Sequence, residues 1–186
     1  MKKYKCLSQS EYFFNKLTLN FISKEDIEKI REWRNNQKNI LRQNKDIQKK
    51  QQLKYFENNV WSERLTKNPA QILFIIKHEN LSIGYGGFTN ISWENKRAEI
   101  SFLLDTKIID NKILYKKIFS NFLKIIKKIA FIELKFNKVF TETYASRHHH
   151  ISILKMNKFE LEGRLKKHII KDNRYEDSLI HSILKK

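Results

Sequence analysis

Apolar and polar positions alternate along Leu17-Thr18-Leu19-Asn20-Phe21, which predicts a strand over 17–22. Ser23 then stands ahead of Lys24-Glu25-Asp26, a polar-capped helix entry with acids in its first turn. Ile27, Ile30 and Trp33 continue at helical spacing until Asn35-Asn36, and a second helical stretch runs over about 47–65. There Leu53, Phe56, Val60 and Trp61 share one side, and Asn68-Pro69 closes the helical part. Three strands follow at 72–77, 83–91 and 97–104, joined by His78-Glu79-Asn80 and by 92–96, an antiparallel meander. Gly84, Gly86 and Gly87 fall inside the middle strand, where glycine marks a bulge or a close backbone approach.

The period then changes. Leu114, Ile118, Phe122, Ile125 and Ile129 form a stripe at steps of three and four, so 113–132 is an amphipathic helix. A strand over 138–144, a short helix over 147–157 and a closing hairpin (159–170 and 175–184, turning at Lys171-Asp172-Asn173) complete the chain. The sum is one α/β (α+β) domain over 17–186, preceded by an N-terminal extension over 1–16. Its sheet has about seven strands, mostly antiparallel, with one strand–helix–strand crossover and flanking helices.

Composition narrows the function classes. Among 186 residues, 38 are Lys or Arg and 20 are Asp or Glu, a net charge of +18, and 40% are hydrophobic. That apolar content suffices for a core. Of the cations 30 are Lys and only 8 are Arg, dispersed along the chain, which argues against a nucleic-acid partner because base and phosphate readers rely on Arg. The single Cys6 allows no internal disulfide and no cysteine metal cage. The apolar stretch 113–131 is interrupted by five lysines and cannot span a bilayer. No signal-peptide pattern is present, so the protein is expected to be soluble and cytoplasmic, with no membrane partner.

The element order and certain segments resemble the GNAT superfamily of acyl-CoA-dependent N-acyltransferases, in particular its RimJ/RimL-like branch. The segments are Trp33-Arg34-Asn35, Ile83-Gly84-Tyr85-Gly86-Gly87, Arg97-Ala98-Glu99-Ile100-Ser101-Phe102, Lys158-Phe159-Glu160-Leu161-Glu162-Gly163-Arg164-Leu165 and Tyr175-Glu176-Asp177-Ser178-Leu179. They span nearly the whole domain, and their order and spacing carry the resemblance. It implies a sheet whose fourth and fifth strands, 97–104 and 138–144, splay apart. It also implies acetyl-CoA as acyl donor, its pantetheine arm held by the backbone of Phe102, Leu103 and Leu104.

Two departures stand out. The segment where the family carries a glycine-rich pyrophosphate loop reads Lys107-Ile108-Ile109-Asp110-Asn111-Lys112-Ile113-Leu114, without glycine. The helix start still offers amides near Ile113, Leu114 and Tyr115, so Asn111, Lys112, Ile113 and Leu114, with Arg147, are the expected coenzyme contacts. Asp110 is a candidate N-cap. In the last helix, Arg147, Leu154 and Lys158-Phe159 replace the family's Asn, its Tyr acid and its Gly-Phe.

For the chemistry, Glu99 is the expected base, its competing assignment being an Arg97-paired surface carboxylate. Alternation along 140–144 puts Glu142 and Tyr144 on one face, and Tyr144, at the expected splay, is a candidate acid or acceptor wall. Of His148-His149-His150, His150 is the candidate acid. Consecutive helical residues diverge by about 100° and cannot converge on one ion, so no metal is expected. Trp33, Arg34, Asn35, Tyr55 and Trp61 lie in the segment that roofs the acceptor pocket in relatives. The resemblance thus implies acetyl transfer to a primary amine of a small molecule such as an amino-sugar nucleotide, the net charge disfavouring a polyamine. Alternatives are a protein N-terminal amine, or a degenerate non-catalytic protein that binds acyl-CoA or a partner. Exposed strand ends of this fold allow a homodimer.

Overall fold

The computed structural model describes residues 3–171 and 173–186. One eight-stranded sheet runs through it. In chain order the strands are β1 (Glu11–Phe14), β2 (Leu17–Phe21), β3 (Ile72–His78), β4 (Leu81–Ser92), β5 (Arg97–Leu104), β6 (Lys138–Tyr144), β7 (Glu160–Lys171) and β8 (Arg174–Leu184). Their order across the sheet is β1-β2-β3-β4-β5-β6-β8-β7. Every neighbouring pair is antiparallel except β5–β6, the strands joined by the crossover.

The helices are α1 (Ile27–Asn35), α2 (Lys49–Phe56), α3 (Thr106–Ile109), α4 (Lys112–Lys128) and α5 (His148–Met156). The long stretch read as a helix over 47–65 is α2 continued by a π turn, Glu57–Trp61, and a 3-10 turn, Ser62–Leu65. At the entry to α1, Asp26 Oδ2 accepts from the Ser23 amide at 2.8 Å and from its hydroxyl at 2.9 Å.

Strict alternation in the central strands divides the core into two layers. Phe74 and Ile76 of β3 join Phe88, Ile100, Phe119, Phe122 and Ile126 on the α4 face. Leu73 and Ile75 join Ile27, Ile30, Trp33, Phe56, Tyr85 and Leu103 on the α1–α2 face. Such doubly buried strands read as continuous apolar runs. On α4 the stripe faces the sheet while Lys112, Lys116, Lys117, Lys124 and Lys128 are exposed, so this part of the charge is a solvated helix face.

The sheet has one strand more than the seven expected. β1 lies within the segment read as an extension and pairs with β2, and Tyr4, Leu7 and Tyr12 are buried with it. Its anchor is remote in sequence: Glu133 accepts from the Tyr12 hydroxyl at 2.7 Å and from the Ser8 hydroxyl at 2.6 Å. Only Tyr12 of its four residues is buried, so local alternation could not signal it. Of the turn expected at 171–173, Asp172 lies outside the described residues.

The three glycines of β4 reflect close approach. Gly87 has φ +151°, and a Cβ there would stand 2.0 Å from the Ile72 carbonyl oxygen. A Cβ on Gly86 would meet the Ser101 carbonyl oxygen at 2.4 Å. Glycine therefore lets β3 and β5 close on β4 from both sides.

Candidate active site

β5 and β6 pair only at Arg97↔Lys138, Ala98↔Val139 and Glu99↔Phe140. Beyond Glu99 they part, and Ile100 to Leu104 keep β4 on one side and face a gap on the other. The expected fourth and fifth strands are thus the ones that splay. At the C-terminal end of the gap the Gln37 side-chain amide donates to the Leu104 carbonyl at 2.7 Å and to the Trp33 carbonyl at 3.1 Å, fastening α1 to the strand end.

A cavity of about 270 Å³ fills the gap and is walled by side chains from both faces of the sheet. On the α1–α2 face stand Glu99, Glu142, Tyr144, Arg34 and Arg42; on the α4 face stand Phe102, Phe119, Thr141, Arg147 and His150. The splay therefore opens a passage between the two faces, and Glu99, Tyr144 and His150, the three expected catalytic residues, all line it.

On the first wall, Glu99 Oε2 accepts from the Asn90 side-chain amide at 2.6 Å, so its ordinary partner is Asn90 rather than Arg97. Arg97 instead lies over the Phe140 ring, 6.0 Å from its centroid. Tyr144 is buried, and burial pushes its hydroxyl above the ordinary phenol range, keeping it protonated. Glu142 is paired with Arg42 of the α1–α2 loop.

The opposite wall is aromatic. The His150 ring stacks on Phe119 at 4.2 Å, and Phe102 also stacks on Phe119, at 4.4 Å. His150 Nδ1 shares a 2.8 Å hydrogen bond with the Tyr115 hydroxyl, which also receives a long 3.4 Å contact from Arg147. Burial, with the charges of Arg147, His149 and His181, holds the His150 imidazole well below its ordinary range. The imidazole is neutral at physiological pH, which argues against the imidazolium acid expected for it, and its Nδ1 is bonded to the Tyr115 hydroxyl. Thr141 Oγ1 is buried in this wall without a partner, a polar atom that an amide of a bound ligand can satisfy.

The glycine-free segment is a helical turn. Asp105 caps α3, accepting from the Lys107 amide at 3.0 Å. Asn111 caps α4, accepting from the Leu114 amide at 3.0 Å, while its carbonyl takes the Tyr115 amide at 2.8 Å. Asp110 ends α3 and is not the N-cap of α4, because the one-residue-later Asn111 has the extended backbone that a cap requires. With the Leu114 and Tyr115 amides engaged, those of Lys112 and Ile113 remain at this helix start for an anion. A cavity of about 250 Å³ adjoins it, lined by Ile109, Tyr115, Arg147 and the three histidines, and Arg147 and His150 border this cavity and the passage alike.

On the α1–α2 side, a cleft of about 830 Å³ lies between the loop after α1 and β7, and shares Leu41, Arg42 and Tyr144 with the passage. Its wall carries Asn35, Asn36, Asn39, Gln43 and Asn44, with Lys38, His168 and Lys171. A third cavity, about 380 Å³, is lined by Arg34, Tyr55, Gln71, Tyr85 and Ser101. Of the expected acceptor residues, Arg34 borders the passage and this third cavity, Asn35 the cleft and Tyr55 the third cavity. Trp33 is a core residue under α1, and Trp61 packs on Phe56 and donates to the Ile22 carbonyl at 3.2 Å; neither lines these cavities.

Asn35 is spent on architecture: its Oδ1 accepts from the Gln43 side chain (2.8 Å) and the Ile47 amide (2.9 Å), and its Nδ2 donates to the Ile47 carbonyl (3.1 Å). It thereby shapes the loop that supplies Arg42. Arg42, Tyr115 and Thr141 were not singled out from the sequence. Tyr115 was hidden next to the apolar stripe of α4, and Arg42 reaches the site only through a loop whose course no periodicity encodes.

The profile of a family described as an acetyltransferase (GNAT) domain matches residues 19–180. Among solved structures, spermidine N-acetyltransferase from Vibrio cholerae in complex with CoA and spermine aligns with TM-score 0.78 at 16% identity, covering 91% of this chain and 95% of that one. A GNAT-family acetyltransferase from Bacillus anthracis aligns with TM-score 0.71 at 16% identity, covering 94% and 98%. At such identities the likeness is one of fold.

Proposed function

This chain belongs to the acetyltransferase (GNAT) domain family, and we propose that it moves the acetyl group of acetyl-CoA onto a primary amine of a small molecule, the acceptor class being an amino-sugar nucleotide. The observation that carries this reading is the passage through the splay. It has carboxylates on one face, protonated hydroxyls on both, and a separate opening on each side of the sheet. Two substrates can then enter from opposite faces and meet between β5 and β6. We keep the RimJ/RimL-like placement within the same reading, on the strength of Trp33-Arg34-Asn35 and the segment around Glu99.

Acetyl-CoA supplies an activated acyl group. The residues that would hold it are those of the α4 face: the gap-facing backbone of Phe102 and the Leu104 amide, Leu103 being turned to β4, then the unpartnered Thr141 hydroxyl, and Arg147, Lys112 and the first amides of α4 for phosphate. The fit is chemical: one orphan polar atom in the wall, cations at the mouth, and an uncapped pair of helix amides.

Glu99 takes the proton that an ammonium must lose before it becomes a nucleophile. Tyr144, kept protonated by burial, gives its proton to the departing thiolate and takes up the second proton that the nitrogen loses after attack, while Glu99 passes the first to solvent, so amide and thiol form with one proton released. Arg34 and Gln37 hold the strand end and the α1 segment in place around the passage.

The acceptor class rests on the cleft. The amide side chains of Asn36, Asn39 and Asn44, with Lys38 and Lys171, suit a hydroxylated, anionic body better than a polycation, and the net charge of +18 acts in the same direction. The test is calorimetric titration with acetyl-CoA, then release of free thiol with a panel of amines: a UDP-linked 4-amino sugar, glucosamine 6-phosphate, spermidine and a short peptide with a free N-terminus. Transfer to the nucleotide sugar in preference to the others is expected. Binding of acetyl-CoA without transfer to any of them would favour the non-catalytic reading that the glycine-free turn motivates. Absence of binding at millimolar ligand would overturn the donor assignment.

A further inference from the structure

The geometry points to Glu142 as the seat of the acceptor's ammonium group. This rests on the reading of the splay as a site of amine acetylation and names the residue that receives the amine. Glu142 is two residues beyond Phe140, the last β6 residue paired with β5, and its side chain borders the passage beside Tyr144. Its two oxygens are differently occupied. Arg42 holds Oε2 from the loop after α1. Oε1 is buried and has no hydrogen-bond partner; the His168 ring nitrogen Nε2 is 3.8 Å away, too far for a hydrogen bond.

Among the described residues it is the one carboxylate oxygen that is both buried and unpartnered. Other carboxylates around the site are engaged. Glu99 accepts from Asn90, Glu176 from the Ser146 amide, and Asp177 from Arg164 and the Lys167 amide. A buried acceptor atom left bare is unfavourable, so its persistence beside a cavity indicates a donor that arrives from outside the chain. The donor that best suits a carboxylate oxygen is a cationic N–H, and a primary ammonium is small enough for a passage of about 270 Å³.

The surroundings define the rest of the ligand. Arg34, Arg42 and Arg147 make this region cationic apart from Glu142 and Glu99, and the adjoining cleft adds Lys38 and Lys171. A diffuse polycation is repelled there. An ammonium on an anionic or hydroxylated body is guided, its nitrogen to Glu142 and its body to the cleft. Glu142 thus selects and places the amine, and the proton leaves the same nitrogen for Glu99.

The test compares wild type with Glu142→Gln, which keeps size and removes the charge, using the panel amine of lowest KM. The KM for that amine should rise about 10-fold to 100-fold, the range that loss of one charge-assisted hydrogen bond represents. The KM for acetyl-CoA should stay within about 2-fold, and kcat at saturating amine within about 3-fold. An amine KM within 2-fold of wild type overturns the proposal. If Glu142 acted only by anchoring the loop through Arg42, Arg42→Met would raise the amine KM as much as Glu142→Gln; that result also overturns it. The expected result for Arg42→Met is a lower amine KM, because a competing cation has left the carboxylate. Should Glu142→Gln lose acetyl-CoA binding, Glu142→Asp replaces it, with a smaller rise expected and a wild-type KM counting against the assignment. A wild-type protein that acetylates no amine of the panel fails the underlying reading, and this inference falls with it.

Discussion

The Arg34 guanidinium donates to the Tyr85 hydroxyl at 2.7 Å, joining the last turn of α1 to the middle of β4. Its Nε donates in addition to Gln43 at 3.1 Å, and Gln43 in turn donates to Asn35. One side chain therefore ties the helix, the sheet and the loop bearing Arg42 into a single polar network between two cavities. Replacing Arg34 by Met keeps the stem and removes the fork. It should lower unfolding free energy by about 2 kcal/mol, the range for charged hydrogen bonds lost in a half-buried setting. Tyr85→Phe should couple with it in a double-mutant cycle of urea melts; strictly additive losses would show that the two residues act apart.

Gly87 is a stronger point of failure. With φ +151° and the Ile72 carbonyl oxygen 2.0 Å from the place of a Cβ, no side chain fits without moving β3. Gly87→Ala should destabilise the fold by about 2–3 kcal/mol, read as a lower urea midpoint with little change in slope. Gly163 offers the contrast, since a Cβ there meets nothing within 4 Å. Gly163→Ala should leave the midpoint unmoved or raise it slightly.

Acid should weaken the folded state through His150. Its imidazole is held well below the ordinary value of 6.5, chiefly by burial and then by Arg147, His149 and His181. Above about pH 6.5 both folded and unfolded forms are neutral and the residue has no effect. As pH falls through that value the unfolded chain takes up a proton that the folded chain refuses. Stability then declines with a slope approaching about 1.4 kcal/mol per pH unit, until the folded imidazole also titrates. His181, lowered mainly by burial, adds in the same direction. Urea melts between pH 7.5 and 5 should show the decline, and His150→Gln should flatten it while leaving the His181 part. A slope that His150→Gln does not change would refute the assignment.

Much of the frame was legible because period is a local property. The apolar run at 72–77, the strand pattern at 97–104, the stripe from Leu114 to Ile129 and the turn at 78–80 reappear as β3, β5, α4 and the β3–β4 connection. β1 was not, because Tyr12 is its single buried residue and its anchor, Glu133, lies far along the chain. The site was legible in part for the same reason. Glu99, Tyr144 and His150 stand where strand and helix register put them. What His150 does depends on how deeply it is buried between Phe119 and Tyr115, and the partner of Glu99 is an asparagine with positive φ at the irregularity of β4; neither follows from spacing. The cap of α4 moved by one residue, from Asp110 to Asn111, since the turn of α3 consumes the earlier position.

That displaced cap bears on coenzyme affinity. Where a glycine-rich loop would present many amides, α3 leaves those of Lys112 and Ile113, so side-chain cations must supply more of the phosphate attraction. Arg147 is the best placed, because it borders the passage and the cavity beside the start of α4. Arg147→Gln should raise the Kd for acetyl-CoA about 10-fold at 0.1 M salt, in line with one charge-assisted phosphate contact. The wild-type Kd should itself rise with salt, and the variant's less steeply, since one of the screened interactions is gone. Calorimetric titrations at two ionic strengths measure both quantities. If the variant binds acetyl-CoA as tightly as wild type at each, phosphate is held elsewhere, and Lys107 and Lys112 become the residues to change next.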